Sequence, residues 1–152
     1  MTSRSHRVAL ALAASLIAAA CSTQDVAQLR CQLPDDSPIT DLLGEAELET
    51  FSVDRLDECV WTSQSTPADT ITVRIEDAPD GALFIEHAIE ATSSDRVVPL
   101  DISNEALSGD AVLFEDEAVL GRSGNQIALI TSSMDTNLLV PVLEASLARL
   151  DP

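Results

Sequence analysis

Residues 70 to 76 read TITVRIE, and the alternation in this stretch decides the fold. Ile71, Val73 and Ile75 take every second position, with Thr72, Arg74 and Glu76 between them. A period of two puts the apolar three on one face of a β-strand and the polar three on the other. A sheet with one face on a core and the other in water follows from this segment alone.

Reading upstream, Glu58 to Ser63 and Leu48 to Val53 also have strand character. The link QSTPAD, residues 64 to 69, is short and rich in turn-forming residues, so the strands on either side of it pair as an antiparallel hairpin. Before them, Ser37 and Pro38 combine a capping hydroxyl with a proline suited to the first helical position. Ile39, Leu42 and Leu43 then form one apolar stripe and Gly44 stops it, which predicts a short helix over 38 to 43.

Downstream, Asp80 and Gly81 open a predicted helix from Ala82 to Thr92, with Leu83, Phe84, Ala88 and Ala91 at helical spacing. Pro99 interrupts the run Val97 to Ile102, which reads as an edge strand or an extended connection. The stretch AVLFEDEAVLGRSGNQIALITSS, residues 111 to 133, gives strands at Ala111 to Phe114, Ala118 to Arg122 and Gln126 to Ser132, with Ser123-Gly124-Asn125 as a hairpin turn. A closing helix over 137 to 150 carries the stripe Leu139, Val142, Leu143, Ser146, Leu147 and Leu150. Asp135, Thr136 and Asn137 are competent caps, and Pro141 fits within the first turn. The expected fold is α+β and one domain: an antiparallel sheet with helices packed on one face, in the order helix, strands, helix, strands, helix.

The N-terminus carries an address. Arg4, His6 and Arg7 precede an apolar run from Val8 to Ala20, and small residues close it. The run is shorter than the roughly 20 apolar residues of a membrane-spanning helix, so it reads as an export signal. Its end, Ala18-Ala19-Ala20-Cys21, resembles a bacterial lipobox, in which the cysteine sulfur receives a diacylglycerol before the signal is cut away. An ordinary secretory site at the same bond is the alternative. The expected organisation is a signal over 1–20, a lipidated N-terminus and tether over 21–30, and an extracytoplasmic domain over 31–152.

Cysteine arithmetic supports lipidation. The chain has three cysteines, and an odd number in an exported protein needs a reason. With Cys21 lipidated, Cys31 and Cys59 remain as one pair for a disulfide in an oxidising compartment. Two separate buried thiols are the alternative. Closing the loop from Cys31 to Cys59 would contribute about 3 to 4 kcal/mol in the chain-entropy account. Cys59 shares a strand face with Trp61 in ECVWTS, so the bond would tie the domain's start to its sheet.

The formal charge is −18 for the whole chain, and two units more negative after Ala20, because Arg4 and Arg7 lie in the signal and all 26 acidic residues lie beyond it. Lysine is absent. Nucleic acid rewards basic footprints, so it is excluded as a partner, as is close contact with an anionic lipid surface. The scattered acidity reads as a solvated surface or as a lure for cations or a basic partner.

The set Cys31, Leu42-Leu43-Gly44, Cys59 and Trp61 resembles a family of small exported lipoproteins of actinobacteria, classed as a domain of unknown function. Gly109-Asp110-Ala111, the hairpin over 118 to 132 and the closing helix are similar to later parts of the same family. The resemblance implies a lipid-tethered extracytoplasmic domain and no transferable reaction.

Sites for chemistry are few. His87, beside Glu86 and Glu90, has no nucleophile or orienting partner at a telling spacing and reads as a helix-surface histidine. Gly121-Arg122-Ser123-Gly124 lacks the glycine two residues after the serine that a hydrolase elbow needs. A single histidine beyond the signal and committed cysteines argue against zinc, and neither PDDSPITD nor FEDEAV has the ordered spacing of a calcium loop. No catalytic residue, metal or cofactor is expected. The expected function is a non-catalytic interaction module of the cell envelope, held at the membrane through Cys21, with an envelope protein as partner. The alternative is a small-ligand carrier or sensor with an apolar cavity between sheet and helices. A cavity favours the carrier; a filled core with an exposed apolar patch favours the module.

Overall fold

The computed structural model describes residues 28–92, 96–100, 111–115 and 117–150. Cys21, with the expected signal and most of the expected tether, lies outside them, as do Gly109 and Asp110. In chain order the described elements are α1 (Ser37–Leu43), β1 (Ala46–Val53), β2 (Leu56–Ser63), β3 (Thr70–Asp77), α2 (Gly81–Ala91), β4 (Val97–Pro99), β5 (Ala111–Phe114), β6 (Ala118–Ser123), β7 (Gln126–Ser132), a 3-10 turn (Thr136–Leu139) and α3 (Val140–Leu147). The fold is α+β, with one antiparallel sheet ordered β1-β2-β3-β7-β6-β5-β4.

Two meanders meet at the centre. β1, β2 and β3 run up and down, and so do β4 to β7, and the halves join where β3 pairs with β7 from Ile71↔Ser132 to Asp77↔Gln126. Two-residue turns set the register of the hairpins. Val53 pairs with Leu56 around Asp54-Arg55, with Asp54 at a φ of 51°. Ser123 pairs with Gln126 around Gly124-Asn125, with Gly124 at 56°, so Ser123 belongs to the strand and not to the turn. β4, the edge strand that contains Pro99, closes the far side.

The first face of the sheet is filled over its centre, while Leu48, Thr50 and Ser52 of β1 stay exposed on it. Trp61, Ile71, Val73, Ile75, Val119 and Ile130 point into it and meet Ile39 and Leu43 of α1 and Leu139, Val142, Leu143 and Leu147 from the C-terminal segment. The whole predicted stripe of that segment is buried, because a 3-10 turn led by an Asp135 cap runs directly into α3. Gly121 lets α3 lie this close: a Cβ there would stand 2.8 Å from Leu147 Cδ1. Cys31 and Cys59 are disulfide-bonded and fully buried, with Cα atoms 5.6 Å apart.

Helices on one face only is not what the structure has. α1 and α3 lie on the first face, whereas α2 packs on the second, where Ile85 meets Val112, Phe114, Leu120 and Ile127. The reason is topological. β7 occupies the place beside β3, so the chain must cross from β3 to the far edge before it can return, and α2 makes that crossing. β5, β6 and β7 are consequently buried on both faces along much of their length.

Two local expectations also change. The buried side of α2 is Gly81 and Ile85 with Ala88 and Ile89 beside them, while Leu83 and Phe84 are exposed. At α1 the N-cap is Asp36, without a side-chain bond, and Ser37 instead donates from its backbone N–H and its hydroxyl to Asp35, at 2.9 Å each.

Candidate functional site

α2 covers the second face only over β5 to β7. Over β1, β2 and β3 no element among the described residues covers that face, and the boundary between covered and bare halves forms a cleft of about 310 Å³. Register explains its lining. Leu129 of β7 lies directly across from Arg74 of β3, and Ile127 across from Glu76, so the polar alternates of β3 stand beside the apolar ones of β7. Phe84 and Ala88 of α2 and Phe114 of β5 also line the cleft.

The bare half continues from the cleft in rows fixed by pairing. Phe51, Glu58 and Arg74 form one row, and Val53, Leu56 and Glu76 the next. Phe51 is 55% exposed and Val53 48%, large values for apolar side chains on a sheet. Arg74 Nε stands 3.4 Å from Glu58 Oε2, an ion pair whose geometry is not that of a hydrogen bond. Glu47 and Glu49 complete this face of β1. The half-face is therefore apolar and acidic at once, and its arginine already has a carboxylate.

A second electrostatic centre lies at the start of the domain. Arg30 Nε is 2.8 Å from Asp57 Oδ2, its Nη1 2.6 Å from Asp77 Oδ1, and its Nη2 donates to the Arg55 carbonyl at 2.9 Å. Ser52 Oγ donates to the other oxygen of Asp57 at 2.6 Å. Burial pushes the Asp57 carboxyl up, but the hydrogen bonds from Ser52 and Arg30 outweigh it and hold the group below the ordinary aspartate value. Burial likewise opposes the Arg30 charge, and the bonds to Asp57 and Asp77 more than offset it. This cluster anchors the chain next to Cys31.

The residues singled out in the sequence are not brought together into a reactive site. His87 is exposed on α2, and Ser123 sits at the end of β6. Asp35 is engaged with Ser37, and Glu117 pairs with Arg96 at 3.2 Å. Among the described residues no three of His, Cys, Asp and Glu cluster as metal ligands would, and no helix is long and apolar enough to cross a membrane. No family model matches the chain, and no curated protein is significantly similar to it.

Sequence reasoning missed Phe51, Val53 and the cleft. One signal was present. AVLF, AVL and IALI are continuous apolar runs, as in strands buried on both faces, whereas β2 and β3 alternate. That contrast marks a sheet covered twice on one half and once on the other.

Proposed function

We propose that this chain is a lipid-tethered extracytoplasmic domain, as its resemblance to small exported lipoproteins implies, and that it acts as a non-catalytic module binding a protein of the cell envelope. The observation that carries the reading is the bare half of the second sheet face. The first face is filled behind β2 and β3, whereas β1 is exposed on both faces and presents Phe51 and Val53 on the bare side. Exposed apolar side chains grouped on one side of a domain, rimmed by charge, are a feature of interaction surfaces. The tether reading rests on Cys21 and on the clamp at Arg30, which brings the chain firmly into the domain just before Cys31.

A second reading, a small-ligand carrier, is favoured by the cleft under α2. Its volume of about 310 Å³ lies at the small end of the usual range for ligand sites, and its walls are mostly apolar.

One experiment tests both. The protein is extracted gently from its own membranes and weighed intact, under native and non-reducing conditions. The module reading expects residues 21–152 plus a diacylglycerol, with a protein partner retained; a small noncovalent mass in its place transfers the assignment to the carrier. In parallel, Cys21→Ser should move the protein from membrane to medium, and equal membrane retention of that variant refutes the tether.

A further inference from the structure

The two edges of the sheet are treated differently. β4, at one edge, has three residues and ends in Pro99, which has no N–H to offer. β1, at the other, has eight residues and is exposed along nearly its whole length. Its pairing with β2 runs without a bulge from Ala46↔Ser63 to Val53↔Leu56, and it contains no proline, lysine or arginine. Proteins commonly blunt such an edge with one of those devices, because its unpaired backbone groups are a template for another strand.

The direction of those groups follows from the hydrogen bonds at the ends of β2. The Arg55 carbonyl accepts from Asp77 N at 3.1 Å, and Ser63 N donates to the Asp69 carbonyl at 3.0 Å, so odd-numbered residues of β2 face β3. Gln64 N donates to the Glu45 carbonyl at 2.9 Å, so the even-numbered ones face β1. By register, Glu47, Glu49, Phe51 and Val53 turn their backbone toward β2. Leu48, Thr50 and Ser52 turn theirs outward, where among the described residues no strand meets them.

We propose that this edge takes up an extended cationic segment of a partner protein as an eighth, antiparallel strand, with basic residues against Glu47 and Glu49 and apolar ones against Phe51 and Val53. Positions opposite 47, 49, 51 and 53 are the non-hydrogen-bonded sites of the new ladder, where cross-strand side chains come closest. The segment would read apolar-x-apolar-x-basic-x-basic. Its main chain satisfies Leu48, Thr50 and Ser52, and alternate side chains supply the choice of partner. The two glutamates also discourage a second copy as the occupant, since each chain carries a formal charge of −18.

The proposal rests on the interaction-module reading, and its test is separable from that reading. The probe is a fluorescein-labelled peptide, Val-Thr-Val-Thr-Arg-Thr-Arg, followed by anisotropy against the full chain in mild detergent; the control is Val-Thr-Val-Thr-Glu-Thr-Glu. The arginine peptide should bind and the glutamate peptide should not. Thr50→Pro, which removes an outward N–H and leaves the bonds to β2 intact, should weaken binding by at least about tenfold. The exposed double variant Glu47→Arg/Glu49→Arg, which does not depend on tolerating a proline, should invert the preference between the two peptides. Absence of binding, binding indifferent to both variants, or a dimer of the chain that Thr50→Pro dissolves would each overturn the proposal. A native partner retained equally by Thr50→Pro would overturn the edge assignment while leaving the module reading in place.

Discussion

Gly81, the first residue of α2, faces the carbonyl oxygen of Gly124 so closely that a Cβ at residue 81 would lie 2.6 Å from it. The contact joins the start of the helix to the β6–β7 turn. The adjoining Ala78 N–H donates to the Asn125 carbonyl at 2.8 Å, and the Asp80 side chain caps the helix by accepting from Leu83 N at 3.1 Å. Together they fix where α2 crosses the second face, and so fix the wall of the cleft.

Gly81→Ala is therefore expected to destabilise the domain, since the neighbour is backbone and cannot rotate away. Inserting a methyl into so tight a contact typically costs about 1 to 3 kcal/mol. Urea unfolding measures the loss. Gly81→Ala should cost more than Ala82→Gly one residue further on, because residue 82 is exposed and that change alters helix propensity without a clash.

Cys31 and Cys59 close a loop of sequence separation 28 inside the filled face. Cys31→Ala/Cys59→Ala should lower stability by about 2 to 5 kcal/mol, through lost loop constraint together with lost packing. The melting temperature of the wild type with and without reductant checks the covalent part. Because both cysteines are fully buried, the reductant is applied to the unfolded protein before refolding, and a melting temperature unchanged by that treatment would mean that the bond contributes nothing to stability.

Asp57 predicts an acid-labile clamp. Its folded value lies below the unfolded one, near 3.9 for an aspartate, so its contribution is present above about pH 4 and is lost as pH falls through the folded value. Unfolding free energy measured between neutral and strongly acid pH should fall in that window. Asp57→Asn should be less stable at neutral pH and should show a shallower acid loss; the same acid slope in both proteins would remove Asp57 as a cause.

The amino-acid sequence determined the elements of this protein. Alternation at Ile71, Val73 and Ile75, the continuous runs at 111 to 114 and 127 to 130 and the stripe from Leu139 to Leu150 are local periodicities, and local backbone geometry reads them without help from the rest of the chain. Cysteine arithmetic likewise led to the pair Cys31 and Cys59, which the structure bonds. Tertiary structure alone decided the order of the strands, the side on which α2 lies and the bare half-face. Those depend on β3 and β7 pairing across the 48 residues of chain between Asp77 and Gln126, and on a crossover whose course is set by which neighbour already fills the central place. Phe51 and Val53 illustrate the division. Nothing in ETFSV distinguishes an apolar residue that will be covered from one that will not, because exposure there is a property of where α2 ends and not of β1 itself.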